Sequence, residues 1–241
     1  MPIDPISSNT SGGTQTSLLR PVRWGGGDAS APVSGKHFGE PIPQIVDISR
    51  NSDMIALFSR LGMLPRIQKK LNVLSRKRGR IVPAKGTVAS ALNGCEETNF
   101  EDVVFAGVEF LAEYKSEEET IAGVLSHEWG HLVRDYKKDM DADELSWEEI
   151  FGIRKDEEAA ADAYSGKMLF LMGYSPEGMI KFLSKIQKKE CHKYHSPATR
   201  AAIIRAAYES ARRFRNQAAN LSSAIRPVFS NPFTQTLIAV A

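Results

Sequence analysis

The chain has 241 residues, of which 42% are hydrophobic and 25% charged, and its formal net charge is +2. Such a chain is long enough to bury a core without disulfides, and its composition is ordinary for a globular protein. A net charge this close to zero gives no electrostatic argument for a nucleic-acid partner. No apolar run reaches the roughly 18 residues that predict a transmembrane helix. The two cysteines, Cys95 and Cys191, are compatible with one disulfide, but two free thiols are the simpler interpretation.

The first part of the chain differs in composition from the rest. Residues 1–44 are rich in Ser, Thr, Gly and Pro and lack apolar periodicity, which predicts a flexible leader. This leader does not have the basic region and apolar core of a secretory signal. We therefore expect the protein to be cytoplasmic, or exported by a route without a cleavable signal peptide. Residues 45–218 have the pattern of one folded domain, and 219–241 are predicted to form a C-terminal tail.

Most of the predicted elements are helices. Between Gly86 and Asn93-Gly94, the segment Thr87–Leu92 alternates loosely and predicts a strand, while 102–110 predicts a strand that turns into a helix. Ser116 and Glu119 have the spacing of a capping box at the start of a long helix. Apolar spacing and start signals predict helices over 52–61, 65–80, 116–132, 156–171, 176–188 and 197–215. The fold class predicted is mainly α, of the α+β type with a small sheet.

Two histidines stand four residues apart in the helix predicted from Ser116, within the segment His127-Glu128-Trp129-Gly130-His131. Four residues are just over one helical turn, so both imidazoles point to the same side, about 6 Å apart along the axis. Imidazoles in this arrangement can bind one Zn²⁺ ion. Glu128 is placed to act as general base on a zinc-activated water and to pass a proton to the leaving amine. The motif therefore predicts a zinc site on His127 and His131 with Glu128 as a catalytic residue.

A catalytic zinc ion has three protein ligands and an open position, so a third ligand must come from another element. The next predicted helix carries Glu158 and Asp162 on one face, with alanines between them that allow close packing. We expect Glu158 to be the third ligand and Asp162 to accept the free N–H of a ligating histidine. The alternative is that Glu157 and Glu158 only place negative charge in the first turn of a helix.

The HExxH motif followed by Glu158-x-x-Ala161-Asp162 resembles the gluzincin peptidases of the HtpX and CAAX-prenyl-protease type. The similarity extends to 173–179 and 195–200 and covers about residues 45–215. It implies a zincin-like helical domain with a small sheet packed on the HExxH helix. The edge strand of that sheet, Thr87–Asn93, would pair with the backbone of a protein or peptide substrate.

The resemblance also assigns roles to individual residues. It implies zinc on His127, His131 and Glu158, with Glu128 as the general base of an endopeptidase. It further implies that His195 lies near the metal and stabilises the oxyanion, and that Arg200 orders the site. This chain departs from the family in lacking its transmembrane helices, and in having His195-Ser196-Pro197 in place of His-Pro, with Arg200 one residue closer.

Other interpretations of the same residues stay open. Regulatory proteases of the ImmA/IrrE type also combine HExxH with a later helical glutamate, and a zinc-stabilised interaction or effector protein needs no catalysis. His195 is alternatively an exposed residue before a helix, with His192 a weaker candidate for its role. Cys95 is either a thiolate that occupies the open zinc position or a small residue in a turn. We interpret the basic residues between Arg66 and Arg80 as a solvated helix face and Trp129 as part of the core or the pocket lining.

Overall fold

The protein is described here from a computed structural model, which describes residues 42–95, 98–133 and 146–229, with side chains up to Asn220. Residues 1–41 of the predicted leader lie outside the described residues, as does most of the polar stretch 135–147. The helices are α1 (Ser52–Phe58), α2 (Met63–Ser75), α3 (Val108–Tyr114), α4 (Glu118–Val133), α5 (Trp147–Met172), α6 (Glu177–Ile186) and α7 (Pro197–Phe229). The strands are β1 (Gly79–Ala84), β2 (Ala89–Leu92) and β3 (Asp102–Gly107).

The three strands form one small sheet in the order β1-β3-β2. β3 is central: it pairs with β1 in parallel, with Ile81 opposite Val104, and with β2 in antiparallel, with Ala91 opposite the same residue. One face of the sheet contributes to the main core beneath α4, and the other carries a smaller cluster that includes Val82, Leu92 and Phe105. The outer side of β1 is bridged by Ile45, whereas β2 lies at the other edge. The mainly helical α+β class predicted from the sequence is confirmed.

Helix α5 packs against both α4 and α7, and a glycine sets each separation. A Cβ on Gly130 of α4 would lie 3.0 Å from the Ala161 Cα of α5. A Cβ on Gly166 of α5 would lie only 2.2 Å from the Ile204 carbonyl oxygen of α7. Both glycines are therefore required by close backbone approach, which brings side chains of all three helices to one place.

The element boundaries differ from the predicted ones for identifiable reasons. The helix predicted to continue to residue 80 ends at Ser75, because Arg76 adopts a left-handed conformation at φ 55°, and Gly79–Ala84 forms β1, which was not predicted. The capping box predicted from Ser116 is wrong by one residue. α4 begins at Glu118, so the residue directly before the helix is Glu117 and not Ser116. α5 begins nine residues earlier than predicted, where Ser146 and Glu149 form a reciprocal capping box.

The last helix is longer than predicted. α7 begins at Pro197, as expected from Ser196-Pro197, and Ser196 Oγ accepts from the Thr199 N–H at 3.1 Å. The helix then continues to Phe229 instead of ending near Arg215, across the predicted domain boundary at residue 218. The sequence after Arg215 contains alanines and no glycine, so nothing in it stops the helix before its last turn. Among the described helices, none is both long enough and apolar enough to cross a membrane.

Candidate metal centre

Helix α4 presents the two histidines of the HExxH motif toward α5. His127 is buried and His131 nearly so, with side chains 8% and 12% exposed. Their Nε2 atoms lie 3.3 Å apart. The upstream apolar residues Ile121, Val124 and Leu125 are buried and hold this part of α4 in the core. The helical spacing therefore brings the two imidazoles together as predicted.

Helix α5 runs antiparallel to α4 and brings Glu158 to the same point. Its Oε2 lies 3.2 Å from His127 Nε2, and its Oε1 lies 3.8 Å from His131 Nε2. The close contact of Gly130 with Ala161 makes this approach possible, since a larger residue at either position would separate the helices. His127, His131 and Glu158 are thus a group of described residues whose ligand atoms could hold one metal ion.

The outer nitrogens of both imidazoles face carboxylates of α5. His127 Nδ1 lies 2.9 Å from Asp162 Oδ1, and His131 Nδ1 lies 3.6 Å from Glu157 Oε1. A carboxylate next to Nδ1 favours the tautomer with the proton on Nδ1, which leaves a lone pair on Nε2. Two such lone pairs and the carboxylate of Glu158 then converge on one point. Lone pairs at these distances repel one another unless a proton or a metal ion lies between them.

The spacing of these atoms fits zinc. Ligand atoms bound at 2.0–2.1 Å to a tetrahedral Zn²⁺ ion are separated by about 3.3 Å. The observed separations from His127 Nε2 are 3.3 Å to the second histidine and 3.2 Å to Glu158, and the separation of His131 Nε2 from Glu158 Oε1 is longer, at 3.8 Å. Two imidazoles and one carboxylate are also a ligand set typical of catalytic zinc, whereas magnesium and calcium prefer oxygen ligands. The residues present therefore fit the metal that the motif predicts.

A third helix completes the surroundings of His127. Arg200 of α7 forms a bidentate ion pair with Asp162, donating from Nε at 2.7 Å and from Nη2 at 2.9 Å. Both side chains are buried, and the Arg200 guanidinium also donates to Gln187 Oε1 at 3.1 Å and stacks on the Tyr194 ring. Arg200 therefore acts on the site through Asp162, which it orients and whose charge it balances.

Burial and the neighbouring charges shift the pKa values of these groups in opposite directions. Burial disfavours the charged form of His127, but hydrogen bonds and charge attraction from Asp162 and Glu158 outweigh it and raise its pKa to about 10 in the metal-free protein. Burial raises the pKa of Glu158 and Asp162, yet the contacts with His127 prevail and the net pKa of each carboxyl is lowered. Three charged groups thus stabilise one another at this point.

The other residues predicted for the site lie outside the ligand group. Glu128 is partly buried on α4, next to His127. His195 lies in the segment before α7, and its described hydrogen bond is made by its carbonyl oxygen, which accepts from Gln187 Nε2 at 2.7 Å. His192 stacks on Phe151, with ring centroids 4.8 Å apart. Among the described residues, neither His195 nor His192 belongs to the ligand group.

Two further features lie away from the histidines. Cys95 packs with the small cluster on the sheet face opposite the main core, and neither cysteine forms a disulfide in the described part of the chain. Three of the seven basic residues of 66–80 form ion pairs within the molecule: Arg66 with Glu118, Lys77 with Asp102 and Arg80 with Glu101. Trp129 is fully buried, and its Nε1 donates to Ser75 Oγ at 3.1 Å, so it is part of the core.

Sequence reasoning missed three residues that surround the site: Glu157, Gln187 and Tyr194. The sequence suggests for Glu157 only a negative charge in the first turn of a helix, but its side chain is buried and faces His131. A signal for it existed, because α5 begins at the capping box of Ser146 and position 157 is therefore far from the first turn. Gln187 and Tyr194 lie between helices, where no periodic pattern places a side chain.

The chain matches no protein-family model, no curated protein and no solved structure. The similarity to HtpX-type peptidases, drawn from the motifs, stays a prediction, and the case for function depends on the geometry of this centre.

Proposed function

We propose that the protein is a zinc-dependent metalloendopeptidase with a zincin-like active site. One observation carries the proposal: His127 Nε2, His131 Nε2 and the Glu158 carboxylate converge at distances of 3.2–3.8 Å, with a carboxylate behind each imidazole. This arrangement would give a zinc ion three ligands, with Asp162 beside the outer nitrogen of His127 and a neighbouring acid in Glu128. When bound, zinc supplies Lewis acidity, which lowers the pKa of water and polarises a carbonyl group.

A structural zinc site would not need Glu128, whereas a catalytic site would. Glu128 follows His127 directly, so its Cα is about 100° further around α4 and its side chain is not directed into the ligand group. In the proposal, the Glu128 carboxylate accepts a proton from the water that attacks the scissile carbonyl and then donates a proton to the leaving amine. General acid–base catalysis of this kind contributes on the order of 10² to 10⁴ in rate.

The sheet offers a place for the substrate backbone. β2 packs against α4, which carries the motif, and in the described part of the chain it pairs with β3 on one side only. An extended peptide can add to such an edge through backbone hydrogen bonds, which do not depend on its side chains. In the proposal, β2 orients a protein or peptide substrate along the helix that carries the general base.

Metal analysis and a cleavage assay on three proteins test this function. We expect wild type to bind one zinc ion per chain and to cleave members of a peptide library. Glu128→Gln should retain the zinc and lose cleavage by at least about 100-fold, because only the proton carrier is changed. His131→Ala should lose both zinc and cleavage.

The same experiment separates the enzyme from a zinc-stabilised interaction protein. In the second case, wild type binds zinc, no peptide is cleaved, and Glu128→Gln behaves like wild type in every assay. A wild-type protein that binds no zinc would contradict both interpretations.

A further inference from the structure

The two ligating histidines have outer partners of unequal kind. Asp162 lies 2.9 Å from His127 Nδ1 and is itself fixed by the bidentate ion pair with Arg200. Glu157 is the carboxylate nearest to the other imidazole, with its Oε1 3.6 Å from His131 Nδ1. It is only 7% exposed, which is unusual for a glutamate. An interaction with His131 Nδ1 would explain why the Glu157 carboxylate is buried at this position.

Helix geometry explains why adjacent glutamates serve different purposes. Successive residues of α5 point about 100° apart, so Glu158 and Glu157 reach the facing helix at different places. Glu158 approaches the inner Nε2 atoms of both histidines, and Glu157 approaches the outer Nδ1 atom of His131. His131 therefore has one carboxylate near each of its two ring nitrogens.

We propose that Glu157 is a positioning residue for His131: it accepts the Nδ1 proton and holds the imidazole with Nε2 directed at the metal. The observed 3.6 Å is about 0.6–0.7 Å longer than a usual N–H···O hydrogen bond, a difference that a small side-chain rotation would remove. With Asp162 behind His127, each ligating histidine then has its own carboxylate, both supplied by α5. The inference depends on the proposed zinc site and adds a residue to it.

Zinc affinity, measured by competition with a chromophoric chelator, tests this role on the full chain. The variants are Glu157→Ala, which removes the acceptor, and Glu157→Gln, which keeps an acceptor oxygen without the charge. The matched control is Asp156→Asn, which removes the same charge from the exposed preceding residue of α5. We expect Glu157→Ala to weaken zinc binding by about 10- to 100-fold, which is typical for the loss of an outer partner. Glu157→Gln should recover part of this loss, and Asp156→Asn should match wild type.

Two further readouts distinguish positioning from a general structural role. In the zinc-loaded protein, nitrogen-15 NMR of the imidazoles should show His131 with its proton on Nδ1, and Glu157→Ala should change that signal while leaving the signal of His127. In Glu157→Ala, the melting temperature of the metal-free protein should stay close to the wild-type value, whereas zinc affinity should fall. If Glu157→Ala prevents folding, Glu157→Gln provides the same comparison.

The outcomes separate this inference from the proposed function. Wild type that binds zinc, together with a Glu157→Ala variant of equal affinity, would overturn the role of Glu157 and leave the zinc site intact. Wild type that binds no zinc would overturn both. A uniform loss of affinity in Glu157→Ala and Asp156→Asn would also contradict the proposal, because it would reflect charge alone.

Discussion

The helix pair α4–α5 carries the candidate ligands, and the segment 187–196 that precedes α7 contacts Arg200 through Gln187 and Tyr194, but the two regions are built differently. In the helix pair, His127, Glu158 and Asp162 come from regular helices whose contact is set by Gly130, and all three side chains are at least largely buried. In the segment, residues are partly or fully exposed, and His195 is held through its carbonyl oxygen. Helix packing therefore fixes the candidate ligands, whereas the side chains of the neighbouring loop are less constrained.

The largest effect should come from a ligand of the helix pair. Removing the Glu158 carboxylate leaves only two ligands, so we expect Glu158→Ala to weaken zinc binding by more than about 100-fold, the upper range for losing an outer partner. Isothermal titration with zinc measures this, with the exposed Asp156→Ala as the control on the same helix. Unchanged affinity in Glu158→Ala would show that α5 does not supply a ligand.

The next effect concerns the ion pair between helices. Arg200→Ala removes the bidentate partner of the fully buried Asp162 and leaves only His127 beside it, and breaking a buried ion pair typically costs about 3–5 kcal/mol of unfolding free energy. Arg205→Ala on the same helix breaks an exposed pair with Glu177 and should cost less than about 1 kcal/mol. Urea denaturation of the two variants gives both numbers. Equal losses would mean that burial does not set the importance of Arg200.

The charged state of His127 makes a prediction about pH. Its pKa is raised from 6.5 to about 10 in the metal-free protein, so protonated His127 stabilises the fold fully below pH 6.5. This contribution should decline as pH rises and be lost once pH passes about 10. Urea denaturation in the presence of a chelator measures the trend.

Two controls assign that trend to His127. His127→Gln should lack this component of the pH profile, because its side chain does not titrate. The zinc-loaded protein should lack it as well, because the metal replaces the proton. A metal-free wild-type profile identical to that of His127→Gln would contradict the assigned charge state.

A smaller effect is expected from the contact that sets the helix separation. Gly130→Ala places a Cβ 3.0 Å from the Ala161 backbone and should cost about 1–3 kcal/mol by overpacking. Gly152→Ala in α5 meets nothing within 4 Å and should stabilise the protein by up to about 1 kcal/mol. Thermal unfolding of the pair compares them. A neutral Gly130→Ala would show that α4 and α5 can separate without cost.

The smallest effect on stability should come from the segment itself. Because His195 is only partly buried, we expect His195→Ala to change unfolding free energy by less than about 0.5 kcal/mol and zinc affinity not at all. If His195 stabilises the oxyanion, as the family resemblance implies, cleavage should fall by about 100-fold or more at unchanged zinc content. A loss of zinc in His195→Ala would break the distinction between the two regions.

The same distinction explains what could be predicted from the sequence. Helical periodicity fixes how His127 and His131 face one another, and the alanines after Glu158 indicate a close helix contact, so the sequence predicts the group of three side chains that the structure brings together. The contact of Arg200 with Asp162 joins residues 38 positions apart and follows from the packing of α5 on α7, which no local pattern encodes. β1 was missed because its first residues continue a basic run, and only the left-handed Arg76 separates that run from α2.

Anomalous diffraction at the zinc edge, from crystals of the full chain grown with zinc, tests the central claim most directly. We expect one strong peak about 2.0–2.1 Å from His127 Nε2, His131 Nε2 and a carboxylate oxygen of Glu158. A strong peak bound by other residues, with these three side chains free of metal, would contradict the proposed centre.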